Sequence, residues 1–277
     1  MLTCENTGPL PLLGDPDHKD IIRSLQTRVP KLLNLHDPQK KPRAIILVTA
    51  HWTTQAPTIS SAAKPSLLYD YYGFPPETYD IKFPAAGEPE VAADVAEAMR
   101  KEGLEGVKLD PERGWDHGVF VPLKLVMPET DVPIVQVSVL ASEDPEKHLR
   151  MGRALASLRA RNIAIVGSGF ASFHNLRIMM GLRHADPATY ADVRTVSQGW
   201  NDALNNALEG EKRWDGLKGW RKLPGADTMH PPRGGEHFMP LIVCTGAAGE
   251  EEVTRKYKDD FMGFDIFTYY WGAEEVV

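Results

Sequence analysis

Apolar residues follow two different spacings along this chain, and the two alternate. Apolar runs predict buried strands at 44–52 and 163–166 and a β-branched strand at 134–140, and shorter runs predict strands at 58–63 and 107–109. Alternating apolar residues predict a last strand at 264–271. Apolar positions at helical spacing predict helices at about 17–29, 88–103, 119–127 and 145–161, and across most of 176–215. Such an alternation predicts an α/β fold in which a mostly parallel or mixed central sheet is covered by helices on both faces.

The run at 44–52 ends in His51 and Trp52, and a polar loop follows. In open α/β sheets, ligands bind at the carboxyl ends of the strands, so a histidine delivered there is a candidate site residue. The alternative is a core histidine that bonds a backbone carbonyl. The run alone leaves both interpretations open.

Residues 68–77 are aromatic and are interrupted by glycine and proline. This composition predicts a structured loop. A loop of this kind either lines a pocket or packs as a lid over the core.

Composition narrows the class of protein. The chain has 277 residues, of which 42% are hydrophobic and 25% charged, and nothing resembling a linker divides it, so we expect one domain over residues 1–277. The net charge of -7 without a basic stripe argues against nucleic acid as a partner. We expect no membrane span, no signal peptide and no disulfide framework, and therefore a cytoplasmic protein. No feature fixes the oligomeric state.

Four of the nine histidines share one kind of position, the end of an apolar strand or the mouth of a glycine-rich loop. These are His51, His117, His174 and His237. We expect His18, His36, His148 and His184 to be exposed, and leave His230 open. Histidines that converge from several strand ends suit a mononuclear metal or acid–base site. Zinc signatures, a nucleophile elbow and a dinucleotide fingerprint are all absent from the sequence.

Several stretches together carry a family resemblance. In chain order they are Gly8-Pro9-Leu10-Pro11-Leu12-Leu13, Ala50-His51-Trp52, Tyr69-Asp70-Tyr71-Tyr72-Gly73-Phe74-Pro75, Trp115-Asp116-His117-Gly118, Gly167-Ser168-Gly169 through His174-Asn175-Leu176, and Glu236-His237-Phe238-Met239-Pro240-Leu241. The sequence resembles the class III extradiol ring-cleavage dioxygenases, and among them the DOPA-dioxygenase-type branch of the LigB family.

The resemblance implies an α/β enzyme that binds one non-haem metal, Fe(II), with zinc possible at the same site, and that cleaves a catechol with O₂. It implies that His51 and His237 are metal ligands. It makes His174 the acid–base residue, and it places His117 beside the ligands, against substrate or bound oxygen.

One position departs from the family pattern. Relatives begin with a strand that ends in His-Gly-Gly-Gly-Pro or His-Gly-Ser-Pro, and the histidine of that motif is the remaining metal ligand. In this chain Glu5 occupies the position of that histidine when the sequence is aligned with the longer motif. Because the chain starts at Met1, we expect the strand to be missing. Either Glu5 is the third ligand, giving two histidines and one carboxylate, or the site is damaged. The alternatives to an active dioxygenase are therefore a LigB-like metal-binding protein with impaired or lost catalysis and, with less support, a zinc hydrolase.

Overall fold

The central sheet is mixed and holds all the strands of the described chain. A computed structural model describes the backbone of residues 2–5 and 8–276 and the side chains of residues 8–276. The strands are β1 (Leu2–Glu5), β2 (Ala44–Thr54), β3 (Thr58–Ser60), β4 (Lys108–Asp110), β5 (Ile134–Leu140), β6 (Ile163–Gly169), β7 (Arg255–Phe261) and β8 (Phe264–Tyr270). Their order is β4-β3-β5-β2-β6-β1-β8-β7, and the pairs β5–β2, β2–β6 and β6–β1 are parallel.

Helices cover both faces of the sheet, so the predicted fold class is confirmed. They are α1 (Lys19–Leu32), α2 (Pro89–Lys101), α3 (His117–Val126), α4 (Pro145–Arg159), α5 (Leu176–Leu182), α6 (Pro187–Glu209), α7 (Arg213–Lys218), α8 (Ala226–Met229) and α9 (Met239–Ala248). Helices α2, α4 and α9 form one layer, while α1 and α3 pack together on the other side of β2. Within residues 2–5 and 8–276, no helix has both the length and the apolar character that a bilayer crossing requires.

Helices α4 and α9 approach each other closely because two glycines face each other at their contact. A Cβ atom on Gly152 would lie 2.1 Å from the carbonyl oxygen of Val243, and one on Gly246 would lie 2.3 Å from that of Leu149. Any larger residue at either position would push the helices apart. This contact holds α9, and therefore the loop before it, against the sheet.

Strand β2 is the centre of the fold. Every residue from Ala44 to Ala50 is buried, as the apolar run predicted, because β5 and β6 flank the strand and helices cover both its faces. The parallel arrangement brings the carboxyl ends of β1, β2, β5 and β6 to one edge of the sheet. Residues that follow these strands therefore meet there.

The prediction that the first strand is missing is wrong. Strand β1 lies between β6 and β8, parallel to β6 and antiparallel to β8, in a register that pairs Glu5 with Gly169. Four residues are enough because they find backbone partners on both sides. The backbone of Glu5 thus ends β1 at the same sheet edge as His51, while its side chain lies outside the described residues.

Strand β7 was not predicted. Its residues Arg255 to Phe261 are mostly charged, yet Tyr257, Asp259 and Phe261 are buried and the strand forms a hairpin with β8. The Asp259 carboxylate is buried because it accepts hydrogen bonds from Ser24 (2.6 Å) and Arg28 (3.0 Å) on α1. These are tertiary contacts that the local sequence does not reveal.

The prediction that His18 and His148 are exposed is also wrong, whereas that for His36 and His184 is confirmed. The neighbours of His148 in sequence are charged, but its side chain lies on the buried face of α4. Its Nε2 accepts the Leu140 N–H at 2.9 Å and its Nδ1–H donates to the Asp144 carbonyl at 2.7 Å. His18 is buried beside Asp15, whose carboxylate it contacts through Nδ1.

The buried His148 should make stability fall in acid. Burial lowers its pKa to about 4, although hydrogen bonding to Asp144 acts in the opposite direction. The unfolded chain takes up this proton near pH 6.5 and the folded chain does not, so stability decreases as the pH falls from 6.5 towards 4, by about 3 kcal/mol from this residue. In urea unfolding, His148→Gln should flatten this decrease and the exposed His36→Gln should not. An unchanged pH slope in His148→Gln would contradict the assignment.

Candidate active site

His51 lies in a β-bulge near the end of β2. Thr49 of β2 pairs with Ser138 of β5, and the next paired residue of β2 is Thr53, which lies opposite Val139. Strand β2 thus advances by four residues where β5 advances by one. A bulge of this kind re-aims side chains. Gly118 makes room for the ring, since a Cβ atom there would lie 2.7 Å from the Cδ2 atom of His51. The ring packs against other imidazoles at a cavity, which favours the site interpretation over that of a core histidine.

A buried polar network supports this strand end. The Asp116 carboxylate accepts hydrogen bonds from Thr49 (3.0 Å), Arg113 (2.8 Å) and Gln136 (2.7 Å). Arg113 also donates to the backbone carbonyl of His51 at 3.3 Å. Complete burial raises the pKa of Asp116, and the Arg113 guanidinium opposes this rise. Because these groups hold the backbone around His51, they fix where its ring points. The sequence alone does not predict this network, since its members come from distant positions.

His117 begins α3 and lies beside His51, with the two ring centroids 3.7 Å apart. Asp70, from the aromatic loop, accepts both the backbone N–H of His117 (2.9 Å) and its Nδ1–H (2.8 Å) through one carboxylate oxygen. Burial acts to raise the pKa of Asp70, but the hydrogen bonds and the charge of His117 outweigh it and leave that pKa below its usual value. Asp70 is therefore a carboxylate at neutral pH that orients His117.

His237 is held at the end of β6. Its carbonyl oxygen accepts the Phe170 N–H at 2.9 Å, and a Cβ atom on Gly169 would lie 2.3 Å from that oxygen, so this position requires glycine. The Nδ1–H donates to Glu236 at 2.9 Å. The Nε2 atom is buried and has no hydrogen-bond partner among the described residues. The ring centroid lies 4.8 Å from that of His51.

His174 follows β6 and stacks on His237, with ring centroids 3.4 Å apart and an interplanar angle of 12°. Its backbone N–H donates to the Met229 carbonyl, and the neighbouring Asn175 caps α5 and donates to the Thr228 carbonyl. Burial lowers the pKa of His174 to about 4, with Glu236 acting in the opposite direction. The ring is therefore neutral near pH 7.

The structure brings four of the predicted site residues to one cavity of about 380 Å³. Its lining consists of Gly8, His51, Tyr71, Phe74, His117, His174, Leu176, Met179, Glu236 and His237. The aromatic loop thus lines a pocket, through Tyr71 and Phe74. His230 lies apart from it, fully buried, with its Nε2–H bonded to the Ala171 carbonyl at 2.8 Å. The predicted ligand Glu5 lies outside the described side chains.

Among the residues whose side chains the structure describes, two groups offer clustered donor atoms that fit a metal ion: His51, Asp70 and His117, and His174, Glu236 and His237. Burial, followed by neighbouring imidazoles, lowers the pKa of His51 and of His237 well below 6.5. Both rings are therefore neutral, the form that binds a metal. The buried Nε2 of His237 has no hydrogen-bond partner in the described part of the chain, so the residues present fit a bound cation. Asp70 and Glu236 lie within the family motifs, but their roles depend on contacts with His117 and His237 that the motifs alone do not reveal.

Comparison with known proteins identifies the family. Residues 12–265 match the LigB family, described as the catalytic LigB subunit of aromatic ring-opening dioxygenase. The chain is 65% identical over 272 residues to dioxygenase tasH of Hapsidospora irregularis (97% of this chain and 84% of the relative). It is 33% identical over 240 residues to 4,5-DOPA dioxygenase extradiol of Beta vulgaris (87% and 84%).

A solved structure agrees with this match. The crystal structure of an uncharacterized protein from Escherichia coli K12 superposes with a TM-score of 0.69 at 27% identity, covering 90% of this chain and 91% of the other. The family match and the similarity to named dioxygenases both extend over most of the sequence. The chain therefore belongs to the LigB family of extradiol ring-cleavage dioxygenases.

Proposed function

We propose that this chain is a metal-dependent dioxygenase that opens the ring of a catechol-type substrate with O₂, using Fe(II) at the histidine cavity. The observation that carries the proposal is the buried Nε2 of His237, which no described residue hydrogen-bonds, in a cavity that His51, His117 and His174 also line. Relatives named 4,5-DOPA dioxygenase extradiol, from Beta vulgaris among others, support a catechol-type substrate by their name. Because relatives across most of the chain are named dioxygenases, a protein that has lost catalysis is not favoured.

His51 and His237 are the proposed histidine ligands. Histidines that bind metals usually donate their second ring N–H to a carboxylate, which fixes the tautomer. Glu236 accepts from Nδ1 of His237 in this way and leaves the Nε2 lone pair for the metal. Asp70 likewise accepts a hydrogen bond from Nδ1 of His117. Both carboxylates are thus better placed as partners of imidazoles than as ligands.

Glu5 is the proposed third ligand. The register of β1 and β2 on β6 sets Cys4 and Thr49 at the same level, both opposite Ser168. The Cα of Glu5 is therefore level with Ala50, two strand spacings or about 10 Å away. Two histidines and one carboxylate form the ligand set of many Fe(II) oxygenases. Because Glu5 is anchored in β1, fixing its backbone costs less conformational entropy than fixing a free chain end would.

His174 is the proposed acid–base residue. When bound, Fe(II) supplies the electron transfer from the aromatic diol to O₂. Because the imidazole of His174 is neutral and stacks on the ligand His237, it can accept a proton from a substrate hydroxyl and return it to the product. Its backbone is fixed by the hydrogen bond to Met229, so the ring has a defined position beside the substrate.

His117 is proposed to hydrogen-bond the substrate or the oxygen that gains negative charge. The Asp70 carboxylate orients its ring by accepting the Nδ1–H at 2.8 Å. Such a preorganised donor stabilises charge that develops during the reaction. Tyr71 and Phe74 form the aromatic side of the cavity and exclude water from the ring.

Oxygen uptake with defined metals tests the proposal. Protein freed of metal and reloaded anaerobically with Fe(II) should consume O₂ on addition of a catechol and form a ring-opened product. The zinc-loaded and metal-free proteins should not. Metal binding without oxygen uptake would support a protein with lost catalysis, and oxygen uptake in metal-free protein would refute metal dependence.

Glu5→Ala should weaken Fe(II) binding. Loss of a group that merely supports a metal ligand already costs roughly 10–100-fold in affinity, so loss of a ligand should cost at least that much. Anaerobic titration measures the change, Glu5→His should restore binding, and the exposed Glu105→Ala serves as control. Unchanged affinity in Glu5→Ala would remove Glu5 from the ligand set.

A further inference from the structure

We infer that the catechol accepted by this chain carries an uncharged, apolar substituent, rather than the charged amino-acid group of DOPA. The inference rests on the proposed function and extends it to the part of the substrate that does not react. It is drawn from the size, lining and charge of the histidine cavity.

The cavity is larger than one aromatic ring requires. An engineered cavity of about 150 Å³ is enough to hold benzene, and this one measures about 380 Å³. A catechol bound at the histidines therefore leaves space for a substituent on its ring.

The side chains around that space are apolar. Phe74, Leu176 and Met179 carry no hydrogen-bonding group that could recognise a polar substituent. Tyr71 has a hydroxyl, but it donates to the Thr78 carbonyl at 2.6 Å and is committed there. Leu176 is 59% exposed although it lines the cavity, so an apolar substituent that covers it would gain the free energy of burial.

The charge of the lining is unfavourable for the carboxylate of an amino acid. Among the described residues that line the cavity, none is a lysine or arginine, and Glu236 is a carboxylate. Residues 1–7 contain no lysine or arginine either. Arg113 is engaged by Asp116, and Arg183 by Asp17. The carboxylate of DOPA would therefore lose water without gaining a cationic partner, which is costly.

Anaerobic binding tests this inference separately from turnover. Calorimetric titration of the Fe(II)-loaded protein without O₂ should show 4-butylcatechol binding at least about tenfold more tightly than DOPA, since its alkyl chain is buried. Equal binding, or tighter binding of DOPA, would overturn the inference. If the preference is found but admission of O₂ cleaves neither compound, the proposed function fails and the inference about binding stands.

Two arginine variants on α5 test where the substituent lies. Leu176→Arg adds a cation to the cavity wall at a half-exposed position and should reduce the preference for 4-butylcatechol over DOPA by about tenfold or more. Met180→Arg, on the same helix but 72% exposed and outside the lining, should leave the preference unchanged. An unchanged preference in Leu176→Arg would overturn the placement.

Arg177 is an exposed cation adjacent to Leu176 in sequence, so replacing it tests whether the protein already offers a partner for the carboxylate of DOPA. It does not line the cavity, so Arg177→Ala should bind DOPA as the parent does. A loss of DOPA binding in this variant would show that its guanidinium pairs with the substrate carboxylate, and would overturn the inference.

Discussion

Replacing His237 with alanine is expected to abolish both metal retention and ring cleavage, while the fold is kept. The ring supplies a buried Nε2 that has no hydrogen-bond partner among residues 8–276, and its Nδ1–H is fixed by Glu236. Removing it leaves too few ligands to hold Fe(II). Metal analysis after gel filtration, with oxygen uptake on the same sample, measures both losses, and each should be near complete.

The control for His237→Ala is His184→Ala, which removes an exposed imidazole and should change neither property. His237→Gln keeps a polar side chain of comparable length and should still lose the metal, since an amide is a poor ligand for this ion. A His237→Ala protein that keeps a stoichiometric metal and cleaves catechol would place the metal elsewhere in the protein.

Replacing His174 with alanine should leave the metal content full, unlike His237→Ala. It should lower the turnover number by about 10²–10⁴-fold, the usual contribution of a general acid–base group. The side chain stacks on His237 without being needed to hold the ion, and it is neutral near pH 7 because burial lowers its pKa to about 4. Steady-state oxygen uptake and metal analysis together measure this pattern.

Anaerobic substrate binding separates the proton-transfer role from a loss of structure. His174→Ala should bind catechol with nearly the parent affinity, and its rate should recover in part with added imidazole. Loss of metal together with activity would make His174 a ligand of the ion. Unchanged turnover would remove it from the proton-transfer step.

The sequence predicted the elements whose pattern is local. Strand β2 is apolar on both faces and ends in His51, so both its burial and its position at the sheet edge follow from the run itself. The family motifs likewise identified His117, His174 and His237, which the fold brings to the same cavity as His51.

The features that the sequence did not predict depend on distant contacts. Asp70 acquires its role from His117, 47 positions further along the chain. Asp116 is buried because Thr49, Arg113 and Gln136 surround it. Strand β1 forms by pairing with β6 on one side and β8 on the other. The sequence of the short N-terminal segment does not indicate these distant partners.

The most direct test of metal-dependent extradiol cleavage is the structure of the product formed under ¹⁸O₂. The Fe(II)-loaded protein, given 4-butylcatechol and a reductant that traps the aldehyde at once, should yield a ring-opened product with one carboxylate and one trapped aldehyde carbon, and with both oxygen-18 atoms incorporated. The zinc-loaded protein should yield no product. An unlabelled product, a dicarboxylate from cleavage between the two hydroxyls, or equal yield without Fe(II) would contradict the proposed reaction.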